Sequence, residues 1–309
     1  MNYPSFFNPQ NSSKLFGMED NFNFLHNLYL DKKLPKILMF SGEKGIGKFT
    51  LINHFLYSIF DSKNYNLNEY SFNESSNILK QLKNNIFSNV IYINGSDFKS
   101  VKIEDIRNLK KKILQSTILN KDRFIILDDI DIFNTNSLNA LLKIIEEPTK
   151  SNYFFLINNK SKVILDTVKS RSIEIKILIK NSQRLEIIKN LINNHNLELT
   201  LDPNISKISP GNFIKFNYIC KEYDISPSEN YIENLSLLLN LYKKNKEKLF
   251  INLAYFISDF YLNSENRKNN LKNDKIYEIK NFIFSNLNSF MMYNINQNSL
   301  VNSVNFHLH

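Results

Sequence analysis

The chain has 309 residues, of which 42% are hydrophobic and 22% charged, and its net charge is +9 with a pI near 9.2. Its one cysteine, Cys220, excludes an internal disulfide and any zinc site built from several cysteines. No apolar run approaches the roughly 20 residues that cross a bilayer. Residues 1–4 do not resemble the start of a secretory signal, so the sequence predicts a cytoplasmic protein without a membrane partner.

The first informative segment joins a predicted strand to a predicted helix. An apolar run at 37–40 predicts a buried strand, and apolar residues at helical spacing over 51–60 predict a helix. Between them, residues 41–50 read SGEKGIGKFT and hold three of the chain's six glycines. Glycine is kept where the backbone needs positive φ or approaches a ligand closely. The order strand, glycine loop and helix predicts a phosphate-binding loop. Its predicted binding residues are Gly42, Gly45, Gly47 and Lys48.

The loop departs from the full pattern G-x-x-x-x-G-K-[ST] at its last position, which is Phe49. In that pattern the Ser or Thr hydroxyl ligates Mg²⁺, and phenylalanine has no oxygen to offer. Thr50 follows, but it lies about 100° further round the helix. We therefore expect weak Mg²⁺ binding or none, and the sequence leaves open whether ATP or ADP binds here, with Thr50 as a peripheral contact.

Three further apolar runs predict strands at 90–93, 124–127 and 153–157, and the alternating segment IEIKI predicts another at 173–177. Helical patterns fall at 103–114 and 138–145. Strands that alternate with helices predict a parallel sheet covered on both faces, which is an α/β fold. In such sheets ligands bind at the carboxyl ends of the strands. The residues predicted at that edge are Gly42 to Lys48, Asp128 and Asn158.

Two charged features have a bland and a functional interpretation. The outer face of the 103–114 helix carries four basic residues, which form either a solvated surface or a contact to a DNA backbone. They are Arg107, Lys110, Lys111 and Lys112.

Asp128 ends an apolar strand. This position is typical either of a polar residue at a strand exit or of the acid on the Mg²⁺ side of an NTPase. Asp129 follows where a catalytic glutamate is common, and it is one methylene shorter.

Four blocks occur in order in the first part of the chain: LDDID at 127–131, NSLNALLK at 136–143, EEP at 146–148 and SRS at 170–172. Together they resemble the clamp-loader AAA+ subunits of bacterial DNA polymerase III, and within that family the delta-prime subunits most. The resemblance covers residues 14–178. It implies an α/β P-loop (AAA+) domain at 1–178, a small helical lid domain at 179–225 and a helical collar domain, used for oligomerisation, at 226–309.

Departures from the active members of the family favour a subunit that hydrolyses little or no ATP. Phe49 lacks the metal-binding hydroxyl, and Ser209 to Asn212 contain no arginine where active relatives carry a sensor arginine. The four-cysteine zinc module of many members is missing, so we expect no zinc, and we assign no residue as a metal ligand. By the same resemblance, Arg171 is an arginine finger that acts on the ATP site of a neighbouring subunit.

The resemblance also implies partners. They are the gamma/tau and delta subunits in a hetero-pentamer, primed DNA within the complex, and the sliding clamp indirectly. The alternative is an active AAA+ ATPase, either a gamma/tau-like motor or another DNA-associated protein, because Lys48, Asp128 and Asn158 leave nucleotide binding open. A third alternative is an interaction module that has lost all nucleotide chemistry.

Overall fold

The computed structural model describes residues 3–97, 101–114, 121–146, 149, 151–204, 207–269 and 273–308. The chain divides into two compact units, which we describe separately. The larger comprises residues 3–195 and 208–213, and the smaller comprises residues 196–207 and 214–309. The three-part domain division drawn from the resemblance stays a prediction.

The described residues of the larger unit form five parallel strands and one short antiparallel pair. In chain order the strands are β1 (Ile37–Ser41), β2 (Tyr65–Asn66), β3 (Ser71–Phe72), β4 (Val90–Asn94), β5 (Arg123–Asp128), β6 (Asn152–Asn158) and β7 (Ile173–Lys176). The five-stranded sheet has the order β4-β5-β6-β1-β7, and all its pairings are parallel. β2 and β3 pair with each other.

Helices cover the sheet and make up the described part of the smaller unit. In the larger unit they are α1 (Glu19–Leu30), α2 (Lys48–Phe60), α3 (Asn77–Lys83), α4 (Ile103–Leu114), α5 (Thr135–Ile145), α6 (Asp166–Lys169) and α7 (Asn181–Asn194). α8 (Pro210–Glu222) begins in the larger unit. The remaining helices are α9 (Tyr231–Asn245), α10 (Lys248–Asn269), α11 (Asn273–Tyr293) and α12 (Gln297–Leu308).

The central strands are buried on both faces, which explains why they read as continuous apolar runs. In β5, Phe124 and Ile126 pack into one core cluster, which also contains Phe55 of α2. The alternate residues Ile125 and Leu127 pack into a second cluster on the opposite face of the sheet. This two-sided burial confirms the predicted α/β P-loop architecture with a parallel sheet.

Several local expectations need correction. β4 and β7 are the two edge strands, so they are only partly covered, and Ile173 is 57% exposed. Helical spacing predicts inward positions for Leu114 of α4 and Phe24 of α1, but these residues are 69% and 54% exposed. The sequence also predicts a helix near 78–87, and α3 ends earlier, at Lys83. Pro148, which predicts the end of the helical pattern at 138–145, lies outside the described residues.

In the smaller unit, α9 packs against α10 and α12, and α11 packs against α10 and α12. Their buried side chains include Leu235, Leu239, Ile257 and Leu287. Tyr231 stacks on Tyr261 with ring centroids 4.5 Å apart. This region is helical, as the sequence predicts. In the part of the chain that the structure describes, no helix has the length and apolar character needed to span a membrane.

Candidate nucleotide-binding site

The glycine loop lies at the carboxyl edge of the sheet, between the end of β1 and the start of α2. Gly45 and Gly47 have φ of +89° and +99°, the left-handed region that side-chain-bearing residues rarely adopt. A Cβ on Gly42 would lie 2.7 Å from the carbonyl oxygen of Ile177, so this position also has no room for a side chain. The backbone of the loop therefore depends on glycine at all three positions.

Lys48 is buried beneath this loop and is only 3% exposed. Its ammonium donates hydrogen bonds to the carbonyl oxygens of Gly42 at 2.7 Å and Glu43 at 2.8 Å. Burial lowers the pKa of Lys48 to about 8, while the carboxylates of Asp128, Asp131 and Asp129 act in the opposite direction. The side chain thus remains a cation at neutral pH and stabilises the loop from within.

Phe49 occupies the position of the metal-binding hydroxyl, and its side chain is part of the core. The residue is 8% exposed and its ring lies 4.7 Å from that of Tyr92, between centroids. The Tyr92 hydroxyl in turn donates a hydrogen bond to Asp128 Oδ2 at 3.2 Å. Thr50 lies in the first turn of α2 and is half-buried. The aromatic pair of Phe49 and Tyr92 therefore connects the loop to Asp128.

Asp128 ends β5 at the same edge of the sheet. Its Oδ1 accepts a hydrogen bond from the backbone N–H of Asp129 at 2.8 Å. Burial, together with the charge of Asp129, raises the pKa of Asp128 to about 6. The carboxylate is therefore held by protein donors, and its ionisation at neutral pH costs free energy.

Asp129 is bound by a lysine of the loop itself. Lys44 Nζ lies 2.8 Å from one carboxylate oxygen of Asp129 and 3.0 Å from the other. Ser96 Oγ and the Asn159 side-chain amide also donate to Asp129. Burial acts to raise the pKa of Asp129, but these donors and the Lys44 charge outweigh it and hold the pKa below its usual value.

The two asparagines at the end of β6 have different surroundings. Asn158 was predicted at the site, and its side-chain amide donates to Ser41 Oγ at 3.2 Å beneath the loop. Asn159 is the residue whose amide reaches both acids, lying 3.4 Å from Asp128 Oδ1 and in contact with Asp129. Sequence reasoning selected Asn158 at the end of this strand and did not select Asn159. Strand alternation carries that signal, because successive side chains point in different directions.

The outer side of the loop is held by the first turn of α8 and the residues before it. Ser209 Oγ and the Asn212 side-chain amide donate to the Lys44 carbonyl at 2.6 Å and 3.1 Å. The Gly211 backbone N–H donates to the Gly45 carbonyl at 2.9 Å. These contacts satisfy the outward carbonyl groups of the loop and fix its position. The segment without a sensor arginine is therefore a structural support of the loop.

These observations test whether a magnesium nucleotide suits the residues present. On the phosphate side, Gly45 and Gly47 have positive φ, and the Lys48 ammonium bonds to the carbonyl groups of Gly42 and Glu43. The metal side does not fit: Phe49 provides no ligand, Tyr92 binds Asp128, and Lys44 binds Asp129. Mg²⁺ prefers near-octahedral oxygen ligands and would have to displace these groups. We therefore assign no step of any reaction to a bound magnesium nucleotide in this chain.

Arg171 is not close to the loop. It lies two residues before β7, whose first residue Ile173 pairs with Leu38 near the start of β1. Because the strands are parallel, Arg171 is at the amino edge of the sheet, roughly 15 Å from the loop at about 3.3 Å per strand residue. Its guanidinium pairs with Glu146 Oε1 at 2.8 Å and donates to the Thr167 carbonyl at 3.0 Å. The structure thus separates Arg171 from the other predicted site residues.

The four basic residues of α4 lie on its solvent face, as predicted, and all are exposed. Arg107 forms an ion pair with Glu104 one turn earlier, at 3.2 Å. The last carbonyl groups of α4 are satisfied by a buried residue, since Arg123 donates to Lys112 O at 3.1 Å and to Ile113 O at 2.8 Å. The helix is therefore firmly anchored and presents its basic face to solvent.

Comparison with known proteins matches the part of the chain that contains the candidate site. Residues 17–181, more than half of the chain, match the family described as DNA polymerase III, delta subunit. The tau subunit of DNA polymerase III from Bacillus subtilis (strain 168) is 31% identical over 169 residues, which cover 53% of this chain and 28% of that protein. The delta' subunit from Buchnera aphidicola subsp. Baizongia pistaciae (strain Bp) is 26% identical over 149 residues, covering 47% and 44%.

A solved structure of a gamma subunit-related protein from Thermotoga maritima has a TM-score of 0.46 and 17% identity, with 93% of this chain and 98% of that chain covered. This chain spans less than half the length of the two sequence relatives named above. The match to the family itself extends from just before α1 to the start of α7. The chain therefore belongs to the DNA polymerase III delta-subunit family, which confirms its resemblance to the clamp-loader subunits of that polymerase.

Proposed function

We propose that this chain is a delta-prime-like subunit of a DNA polymerase III clamp loader. In this role it helps to load the sliding clamp onto primed DNA in the cytoplasm while hydrolysing little or no ATP itself. One observation carries the proposal: each protein group that would face a catalytic metal is engaged elsewhere. Phe49 fills the hydroxyl position, and Asp128 and Asp129 are bound by Tyr92 and Lys44.

The alternative is a gamma/tau-like motor, and the relatives include subunits of both kinds. Phosphoryl transfer in P-loop NTPases depends on a metal that bridges the phosphates and neutralises their developing charge. This chain retains the lysine of the loop but not the metal-binding hydroxyl. The segment Ser209 to Asn212 contributes hydrogen bonds to the loop and brings no arginine to it. These features favour the non-hydrolysing subunit.

Arg171 supplies the catalytic contribution of this subunit, as an arginine finger for a neighbour's ATP site. Its position at the amino edge of the sheet, opposite the chain's own loop, supports action in trans. A guanidinium is permanently charged and binds phosphate oxygens through two parallel hydrogen bonds. Its pairing with Glu146 involves side chains that are 37% and 46% exposed. Exposed ion pairs contribute only about 0–1 kcal/mol to stability, so an incoming phosphate can displace Glu146 from Arg171.

The proposal extends to two surfaces. The exposed basic face of α4, with Arg107 and Lys110 to Lys112, contacts the DNA backbone within the assembled loader. The helices of residues 226–309 form this subunit's part of the collar that joins it to the gamma/tau and delta subunits in a hetero-pentamer. Contact with the sliding clamp is indirect, through those partners.

The test is a loader reconstituted with gamma/tau and delta subunits and carrying Arg171→Ala. Arginine fingers raise the rate of hydrolysis by about 10³–10⁵, so ATP turnover at the neighbouring site should fall to background. The total DNA-stimulated ATP turnover of the loader should fall by the fraction that this site contributes. Lys169→Ala removes a charge from the same segment, and Lys169 is paired only with Asp166 in the contacts described. Its turnover should match the wild type. Unchanged turnover with Arg171→Ala in a fully assembled complex would overturn the trans-acting role.

A further inference from the structure

We propose that the ammonium group of Lys44 is a resident cation that replaces Mg²⁺ at this site. The acidic edge of the sheet is then charge-balanced by the chain itself, and it requires no divalent metal. This inference concerns the electrostatic construction of the loop, and it holds whether or not the chain acts in a clamp loader.

The contacts of Lys44 are those of a bound cation. Its Nζ lies 2.8 and 3.0 Å from the two carboxylate oxygens of Asp129, and 3.3 Å from Ser96 Oγ. The Asp129 side chain is only 4% exposed, whereas that of Lys44 is 59% exposed. The lysine therefore reaches in from the loop surface and places its charge on a buried carboxylate.

The charge balance of this edge explains why a cation is needed. Asp128, Asp129 and Asp131 lie within four residues of one another, and Asp129 and Asp131 are 3% and 4% exposed. Asp131 is satisfied by backbone N–H groups of Asn159 at 3.1 Å and Ser161 at 2.7 Å. Buried charges require a counter-charge, because removing one partner leaves an uncompensated ion in a low-dielectric environment. Lys44 provides that counter-charge to Asp129.

The alternative counter-charge, a metal ion, is opposed by the same groups. Phe49 supplies no oxygen, and the Tyr92 hydroxyl already bonds to Asp128. A divalent ion at Asp129 would also stand within a few ångströms of the Lys44 ammonium, a strongly repulsive arrangement. We therefore expect the wild-type protein not to bind divalent metals at Asp129.

Replacing the lysine should reverse this preference. We expect Lys44→Met to leave the buried carboxylate of Asp129 without its contacting cation and so to allow a divalent metal to bind there. The probe is Mn²⁺, whose unbound fraction is measured directly by electron paramagnetic resonance. Its affinity should rise at least about tenfold over the wild type, because a nearby like charge has been removed. The double variant Lys44→Met/Asp129→Asn should lose the added binding.

Two controls separate this effect from general changes in charge. Lys80→Met removes an exposed lysine from α3 of the same unit and should bind Mn²⁺ as the wild type does. The thermal midpoint of the wild type should be the same in EDTA and in 10 mM Mg²⁺, whereas that of Lys44→Met should rise with Mg²⁺.

The proposal is overturned if Lys44→Met binds Mn²⁺ no better than the wild type. It is equally overturned if Mg²⁺ raises the thermal midpoint of the wild type by several degrees and Asp129→Asn abolishes that rise. The second measurement needs no Lys44 variant, so it decides the question even if Lys44→Met fails to fold.

Discussion

The ring of Phe49 packs against the ring of Tyr92, with centroids 4.7 Å apart, and the Tyr92 hydroxyl bonds to Asp128. This pair links the altered last position of the glycine loop to the first acid of the sheet edge. A side chain that cannot bind a metal therefore stands beside an acid that already has a protein partner. The two features act independently against metal binding. Replacing Phe49 alone would leave the hydrogen bond between Tyr92 and Asp128 in place.

Phe49→Thr restores the missing hydroxyl and should nevertheless produce no Mg²⁺-dependent ATP turnover, since Tyr92 and Lys44 still hold the two acids. Removing the buried ring should lower the free energy of unfolding by about 3 kcal/mol, within the range for large-to-small core substitutions. Urea unfolding and a steady-state ATPase assay measure both effects. Phe49→Leu, which keeps an apolar side chain, should cost about 1 kcal/mol. Turnover in Phe49→Thr would contradict this expectation and show that the missing hydroxyl alone disables the site.

Gly211→Ala tests the support of the loop by the start of α8. A Cβ at this position would lie 2.8 Å from the Gly45 carbonyl oxygen, so the hydrogen bond between the two residues must lengthen or break. We expect a loss of about 1–3 kcal/mol in the free energy of unfolding. Backbone amides of residues 42–47 should exchange with deuterium faster than in the wild type.

Asn212→Ala is the milder comparison, because it removes one side-chain hydrogen bond to Lys44 O and should cost about 1 kcal/mol or less. If Gly211→Ala matched the wild type in both stability and exchange, the contact at Gly45 would not hold the loop.

His54 should make the stability of the chain depend on pH. Its ring is fully buried between the Tyr65 hydroxyl at 3.1 Å and the Ser12 carbonyl at 3.0 Å, and burial lowers its pKa to about 4 from 6.5. As pH falls from 6.5 to 4, the unfolded chain binds a proton before the folded chain does. The free energy of unfolding should therefore decrease over this window, by up to about 3 kcal/mol from this residue.

Urea unfolding at pH 7, 5.5 and 4.5 measures this effect when the wild type is compared with His54→Gln. The difference between the two proteins isolates His54 from groups such as Asp128, whose raised pKa acts in the opposite direction below pH 6. A difference that stays constant across the three pH values would refute the assignment.

Much of the fold could be predicted from the sequence because its signals are local. The central strands β1, β5 and β6 read as apolar runs, and the glycine loop has a fixed spacing between strand and helix. The edge strand β4 has the same apolar pattern as the central ones, whereas β7 alternates isoleucine with charged residues. The partial exposure of β4 could not be predicted, because pattern alone does not specify how many neighbours a strand has.

The candidate site was predicted only in part, since its defining contacts join distant residues. Lys44 and Asp129 are 85 positions apart, and Ser209 and Lys44 are 165 apart. Arg123, which completes the end of α4, was not anticipated either. Side-chain pairings of this kind leave no periodic signal in the sequence. Asn159 was missed for a smaller reason, namely that the choice between adjacent asparagines depends on the direction of each side chain.

The most direct test of the account is steady-state ATP turnover by the purified chain alone, with Mg²⁺ and primed DNA present. We predict no turnover above background, and no difference between the wild type and Lys48→Ala, because Phe49 offers the metal no oxygen and Tyr92 and Lys44 hold the two acids. Turnover by the wild type that Lys48→Ala abolishes would contradict the account and identify the chain as a motor subunit.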